Sequence, residues 1–208
     1  MMTVKSKPTT RTAQRDATRQ RIVDAAVASL IERGSAATTT VEVQERAQVS
    51  RGALLHHFPS HAQLLAATIE ALVARNEDSV RRALALQPAE MEPVDRATRA
   101  LAEAFTQPAY LAELELWAVA RTDANLRESL RDAERQARRD FERVVSELFA
   151  SVKNLPAYTE VVALSMELLR GMALACLLRE DKHRQEKLLQ SWSWAVRILL
   201  KNQPDPPK

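Results

Sequence analysis

Residues 34–65, GSAATTTVEVQERAQVSRGALLHHFPSHAQLL, crowd together the side chains most able to do chemistry: Thr38, Thr39 and Thr40, then Ser50, Arg51 and Gly52, then His56, His57 and His61. Three histidines within six residues suggest a metal site, because imidazole is a good zinc ligand. Pro59 interrupts the chain between His57 and His61, however, and no nearby cysteine or clear acidic ligand completes a tetrahedral set. No metal and no cofactor are expected. Nucleophilic catalysis finds no better support: Cys176, the only cysteine, lies on an apolar helical pattern without a neighbouring base, the acids form no isolated dyad, and no glycine loop could cradle a phosphate. The chain is therefore not expected to be an enzyme.

What remains is a set of hydrogen-bond donors suited to a polyanion. Residues 1–60 hold nine basic against five acidic residues, whereas the rest of the chain holds twenty-one against twenty-two. The whole excess of positive charge surrounds the donor-rich segment, where it lowers the cost of approaching a phosphate backbone.

These residues must be held by helices. A chain of 208 residues with 46% hydrophobic content can bury a core, and three glycines with an apolar set dominated by Ala, Leu and Val disfavour a turn-rich sheet. The expectation is all-α. No uninterrupted apolar stretch is long enough for a membrane span or a signal-peptide core, which points to a cytoplasmic protein. Residues 1–14 are polar, contain Pro8 and read as a flexible basic arm. From Arg15 a helical pattern begins, with Ile22, Val23, Ala26, Val27, Leu30 and Ile31 at three- and four-residue spacing and Gly34 as its stop. Thr38 to Thr40 offer caps for a short helix with Val41, Val43 and Ala47 on its inner side. Gln48 and Val49 form a turn, and Ser50 caps a second short helix that Pro59 ends near Phe58. Ser60 opens a long helix with Leu64, Leu65, Thr68, Ile69, Leu72, Val73, Val80 and Leu84 along its buried side.

Two short helices joined by a tight turn form a helix-turn-helix, which places the N-terminal end of the second against base edges in the major groove of double-stranded DNA. Ser50, Arg51, Gly52 and Ala53 occupy that end. Arg51 can read guanine O6 and N7 with ~1–3 kcal/mol of discrimination, or hold a phosphate; Gly52 permits close backbone approach and Ala53 can meet a thymine methyl. The threonines present hydroxyls and unpaired amides at a helix N-terminus, a combination that suits a phosphate oxygen as well as ordinary capping.

Beyond the proline-broken stretch 87–93, helices are expected at roughly 94–105, 108–121, 124–151, 157–179 and 183–202. In the third of these, Arg127, Arg131, Glu134, Arg135, Arg138 and Arg139 make a solvated charged face. The last two carry wide apolar stripes that can join in an isologous four-helix bundle, so a homodimer is expected through Val161, Leu164, Leu168, Leu188, Leu189, Trp192, Val196 and Leu199. Trp194 cannot share a stripe with Trp192 and belongs at the rim or the surface.

The stretch from the first helix to the start of the fourth resembles the N-terminal domain of the TetR family of bacterial transcriptional regulators. Thr38, Thr39 and Thr40 match the family's threonine-rich helix start, Ala47 its buried alanine, Val49-Ser50 its turn, Arg51-Gly52 its basic-glycine pair, Leu54 its leucine and His57-Phe58 its His-Phe pair. Leu55 stands where the family carries Tyr and His61 where it carries Lys, and each change removes a candidate phosphate contact. The resemblance supports a phosphate role for His56 and His57.

It further implies an N-terminal three-helix domain over 15–60, and a larger helical domain over 61–208 for effector binding and dimerisation. The implied function is a dimeric repressor on a palindromic operator, altered by a small apolar molecule held between helices. Phe105, Tyr110, Glu113, Leu114, Trp117 and Arg121 on one side, with Leu168, Met172 and Cys176 on another, offer such a pocket. The alternative is a helical dimeric protein-interaction module without specific DNA binding.

Overall fold

Polar side chains at the helix starts set much of the order of elements. In the computed structural model, which describes residues 10–179 and 181–202, every regular element among the described residues is helical: α1 (Thr10–Arg33), α2 (Thr40–Ala47), α3 (Arg51–His57), α4 (His61–Leu86), α5 (Pro93–Phe105), α6 (Pro108–Ala120), α7 (Ala124–Leu148), α8 (Tyr158–Cys176) and α9 (Lys182–Asn202), with one 3₁₀ turn at Ala150–Val152. The Thr39 hydroxyl accepts from the Glu42 amide at 3.2 Å, Ser50 from the Ala53 amide at 3.2 Å and Ser60 from the Gln63 amide at 3.1 Å, so each of α2, α3 and α4 begins on a hydroxyl cap. Carboxylates do the same work at Glu92 for α5, Asp123 for α7 and Asp181 for α9.

Helix α1 begins at Thr10, ahead of the expected start at Arg15. Its first turns are exposed, so no apolar periodicity marks them in the sequence. Residues 1–9 of the expected arm lie outside the described residues. Val41 also departs from expectation: it is 57% exposed, because α2 has only two turns and buries Val43 and Ala47, leaving little inward surface for a third residue.

The helices assemble into two compact units that do not follow chain order. The first comprises the residues up to Ala71 together with Glu115–Ala133, and the second comprises Leu72–Leu114 with the residues from Glu134 onward. In the first unit α1 packs on α2 and α2 on α3, around Ile22, Ala26, Val27, Leu30, Val43, Leu54, Phe58 and Leu64. Ion pairs join α1 to α2, from Arg33 to Glu42 at 2.8 Å and from Arg46 to Glu32 at 2.7 Å. In the second unit α5 lies against α8 and α9, and Val94, Leu101, Phe105, Val145, Phe149, Val161, Leu169 and Val196 are buried. Arg99 forks onto the Glu186 carboxylate through both Nη groups, and Arg197 Nη1 donates to both oxygens of Asp95, so that two arginine–carboxylate contacts tie α5 to α9. The hydrogen-bonded Arg99 guanidinium holds the Glu186 carboxyl down at about 2. Among the described residues no helix is long and apolar enough to cross a membrane.

Candidate nucleic-acid interface

The turn between α2 and α3 is made by Gln48, which adopts a left-handed conformation at φ 53° and returns its amide to Glu45 O at 3.1 Å. That reversal lets α3 leave α2 after only Val49 and Ser50. Leu54 and Phe58 then pin α3 from beneath, both buried, while Arg51, Gly52, Leu55 and His56 face outward. A Cβ on Gly52 would meet nothing nearer than Ser50 Oγ at 4.0 Å, so the fold itself does not demand glycine there. The N-terminal end of α3 thus presents Ser50, Arg51 and Gly52 to solvent, and Ala53 is half-buried behind them.

The three threonines separate. Thr38 is 0% exposed: its hydroxyl donates to Gly34 O at 2.8 Å and lies 3.3 Å from Ser29 Oγ. It ties the α1–α2 connection together and has no surface to offer a phosphate, which corrects its place among the expected DNA contacts. Thr39 is exposed and caps α2, and Thr40 is half-buried in the first turn.

The histidines divide likewise. His61 remains exposed, but its Nε2 lies 2.7 Å from Thr38 O and fastens the start of α4 to the segment ahead of α2. His56 and His57 pack edge to face with ring centroids 5.4 Å apart. Partial burial pushes the His57 imidazole below its ordinary value, helped by the charges of His56, Arg15 and Arg19. A further anchor of the same connection escaped the sequence reading. The Ser35 amide donates to Glu115 Oε1 at 2.6 Å, eighty residues away in the chain. Among the described residues no group of three or more His, Cys, Asp or Glu side chains could hold a metal ion.

The residues expected to line an effector pocket divide between the two compact units. Phe105 and Tyr110 stack on each other with centroids 4.1 Å apart, and both are buried. Leu114 is core, and buried Glu113 accepts from Asn76 Nδ2 at 2.7 Å. Trp117 and Arg121 belong to the first compact unit, Trp117 half-buried and Arg121 exposed. A cavity of about 260 Å³ does open in the second unit, among α5, α8, α9 and Gln87. Met172 and Cys176 line it, with Leu169 rather than Leu168 on its wall, and Arg99, Glu103 and Gln185 supply its polar side.

Of the expected dimer residues, Val161 and Val196 are wholly buried within their own chain, which removes them as contacts for a second subunit. Each lies on the narrow stripe its helix turns inward, with Ser165, Leu169 and Ala173 on α8 and Ser193 and Leu200 on α9. Leu164 is 52% exposed and Leu188 is exposed with it, whereas Leu168, Leu189, Trp192 and Leu199 are half-buried. The Trp192 indole donates to Ser165 Oγ at 2.8 Å, and Trp194 faces outward.

Tyr110 carries a measurable consequence of this packing. Burial pushes its phenol up to about 12, although the Arg170 contact favours the ionised form. Because the folded value lies above the unfolded one of about 10, this group stabilises the fold at neutral pH, and that contribution is lost as pH rises from 10 towards 12. On the order of 2 kcal/mol is at stake. Tyr110→Phe is expected to flatten this part of the alkaline loss of unfolding stability, and an unaltered slope in denaturant titrations at pH 9 to 12 would contradict it.

An all-helical chain with a buried-anchor helix-turn-helix near its start, followed by a helical bundle, is built as a DNA-binding transcriptional regulator. Residues 22–68 match the model for bacterial regulatory proteins of the tetR family. The HTH-type transcriptional regulator CymR of Pseudomonas putida is 30% identical over 175 residues, which is 84% of this chain and 86% of that protein. The chain belongs to the TetR family of helix-turn-helix, ligand-responsive transcriptional regulators. Solved structures share the fold: a transcriptional regulator from Rhodococcus sp. Rha1 superposes with a TM-score of 0.62 at 22% identity, covering 91% of this chain and 99% of that one. The multidrug binding protein EbrR in its complex with proflavin gives a TM-score of 0.59 at 22% identity, covering 85% and 98%.

Proposed function

We propose that two copies of this chain form a symmetric dimer through α8 and α9 and bind a palindromic operator, each α3 entering a major groove, so that the protein acts as a repressor altered by a small, largely apolar molecule. Residues 15–60 would read DNA, and residues 61–208 would hold the effector and the second subunit. The observation that carries the reading is the outward-facing N-terminal end of α3, where Ser50, Arg51 and Gly52 are exposed above the buried anchors Leu54 and Phe58. A rigid helix end bearing one long donor beside an unobstructed glycine is what readout of a base edge requires. The exposed leucines of α8 and α9, Leu164 and Leu188, give the dimer its apolar contact.

Dimer geometry supplies the regulation. Two α3 helices meet adjacent half-sites only when held ~34–36 Å apart. An effector that favours a wider arrangement releases the operator, and one that favours the matching arrangement strengthens binding.

Selection of genomic fragments by the purified protein, followed by footprinting, tests the reading; a protected region with two inverted half-sites is the expected result. Arg51→Ala should then relax preference at one base pair of each half-site by ~1–3 kcal/mol. Equal weakening on every sequence would show that Arg51 holds phosphate only, and failure to enrich any fragment would remove the operator altogether.

A further inference from the structure

Helix α1 carries Arg11, Arg15 and Arg19 at four-residue spacing, which sets them along one ridge of the helix. Arg15 and Arg19 are exposed, and among the described residues none of the three has a carboxylate at ion-pair distance. The other arginines that join α1 and α2 behave differently. Arg33 is locked to Glu42, and Arg46 to Glu32 and Glu42. Like charges four apart on a helix repel, so a run of three costs the fold something and gains it no ion pair.

The ridge reaches the far end of α3. The Arg19 guanidinium carbon lies 5.1 Å from the centroid of the Phe58 ring, at the residue that closes α3, and Arg15 and Arg19 both act on the His57 ring. Asp16 is the one acid felt there, and it opposes them. His56 stands beside His57 with its ring exposed. A helix of seven residues is about 10 Å long, and a major groove is about 12 Å wide. With the Arg51 end of α3 at the base edges, its His57 end therefore passes close to the bordering strand.

We propose that Arg11, Arg15 and Arg19 form, with His56, a second DNA surface: a phosphate-holding ridge on α1 that grips the strand beside the groove entered by α3. This rests on the DNA-binding reading above and deepens it. The ridge contributes affinity without base preference, because guanidinium contacts to phosphate carry no sequence information.

The test uses the full chain, a 30-base-pair duplex bearing the selected operator, and a random-sequence duplex of equal length. Affinity is measured from 50 to 200 mM KCl. For Arg15→Gln/Arg19→Gln, the slope of log affinity against log salt should become shallower by roughly 1.8 per protomer, from two lost phosphate contacts at about 0.9 each. Both duplexes should weaken alike, with base preference unchanged. Arg11→Gln/Arg15→Gln, which leaves the Phe58 contact in place, should lower the slope comparably, and Arg15→Lys/Arg19→Lys should restore most of it. Arg139→Gln/Lys153→Gln removes the same charge elsewhere and should leave the slope within about 0.5 of its starting value. If the unaltered chain binds neither duplex, the DNA-binding reading fails and takes the ridge with it. If it binds and the two glutamine pairs on α1 keep its slope, or change base preference instead, the ridge alone is wrong.

Discussion

Phe58→Ala is expected to cost the first compact unit about 3–5 kcal/mol, the usual range for deleting a buried aromatic ring. The ring is 3% exposed, and its backbone amide closes α3 on Leu54 O at 2.8 Å. Its loss leaves a cavity beneath α3 and takes away the surface on which Arg19 rests. A domain at the low end of the usual range, about 5 kcal/mol, is brought near its midpoint by such a loss. Leu55→Ala, three residues earlier and 41% exposed, should shift stability by no more than about 0.5 kcal/mol. Urea unfolding followed by circular dichroism separates them. Equal midpoints for the two variants would mean that Phe58 does not anchor α3.

Gly34→Ala should destabilise by about 1–3 kcal/mol through its backbone alone. The residue sits at φ +77°, and a Cβ there would lie 3.1 Å from Glu115 Oε1. The carboxylate cannot yield freely, because the Ser35 amide holds it at 2.6 Å. Glu115→Ala removes that crowding and that hydrogen bond together. In a double-mutant cycle the Gly34→Ala penalty should therefore be smaller when Glu115 is already alanine, leaving the strain of positive φ. An unchanged penalty would show that the turn relaxes away from α6, and no penalty at all would show that residue 34 leaves the left-handed region at no cost.

The caps show how far local chemistry carries. Thr39, Ser50 and Ser60 each bond an amide three residues ahead, and so the starts of α2, α3 and α4 are readable without knowing the fold. Thr38 looks identical to Thr39 in the sequence, yet its fate is decided by Ser29 and by the carbonyl of Gly34 in the packed turn. His61 likewise takes its role from Thr38, twenty-three residues away, and Glu115 from Ser35 across eighty. The cavity of the second unit was the least legible part for a related reason. Phe105 and Tyr110 have the composition of a ligand cage, but each ring fills the space in front of the other. Exchanging Leu168 for Leu169 on the cavity wall is a one-residue step, which on a helix is a rotation of about 100°. Arg99 and Glu186, which pair beside that cavity, are separated by 87 residues that no periodicity spans.

The division of the chain also constrains the order in which this protein can come into being. The first compact unit takes in Glu115–Ala133 as well as the residues up to Ala71, so it is complete only after a long excursion of chain has been made. On a ribosome, α1 to α3 emerge first and must wait for the carboxylate of Glu115 before the Ser35 turn can be tied. A nascent chain halted ahead of α6 therefore carries every residue of the helix-turn-helix without the whole of its support. Severing the gene after Ala71 would likewise yield the reading head stripped of a part of its own frame.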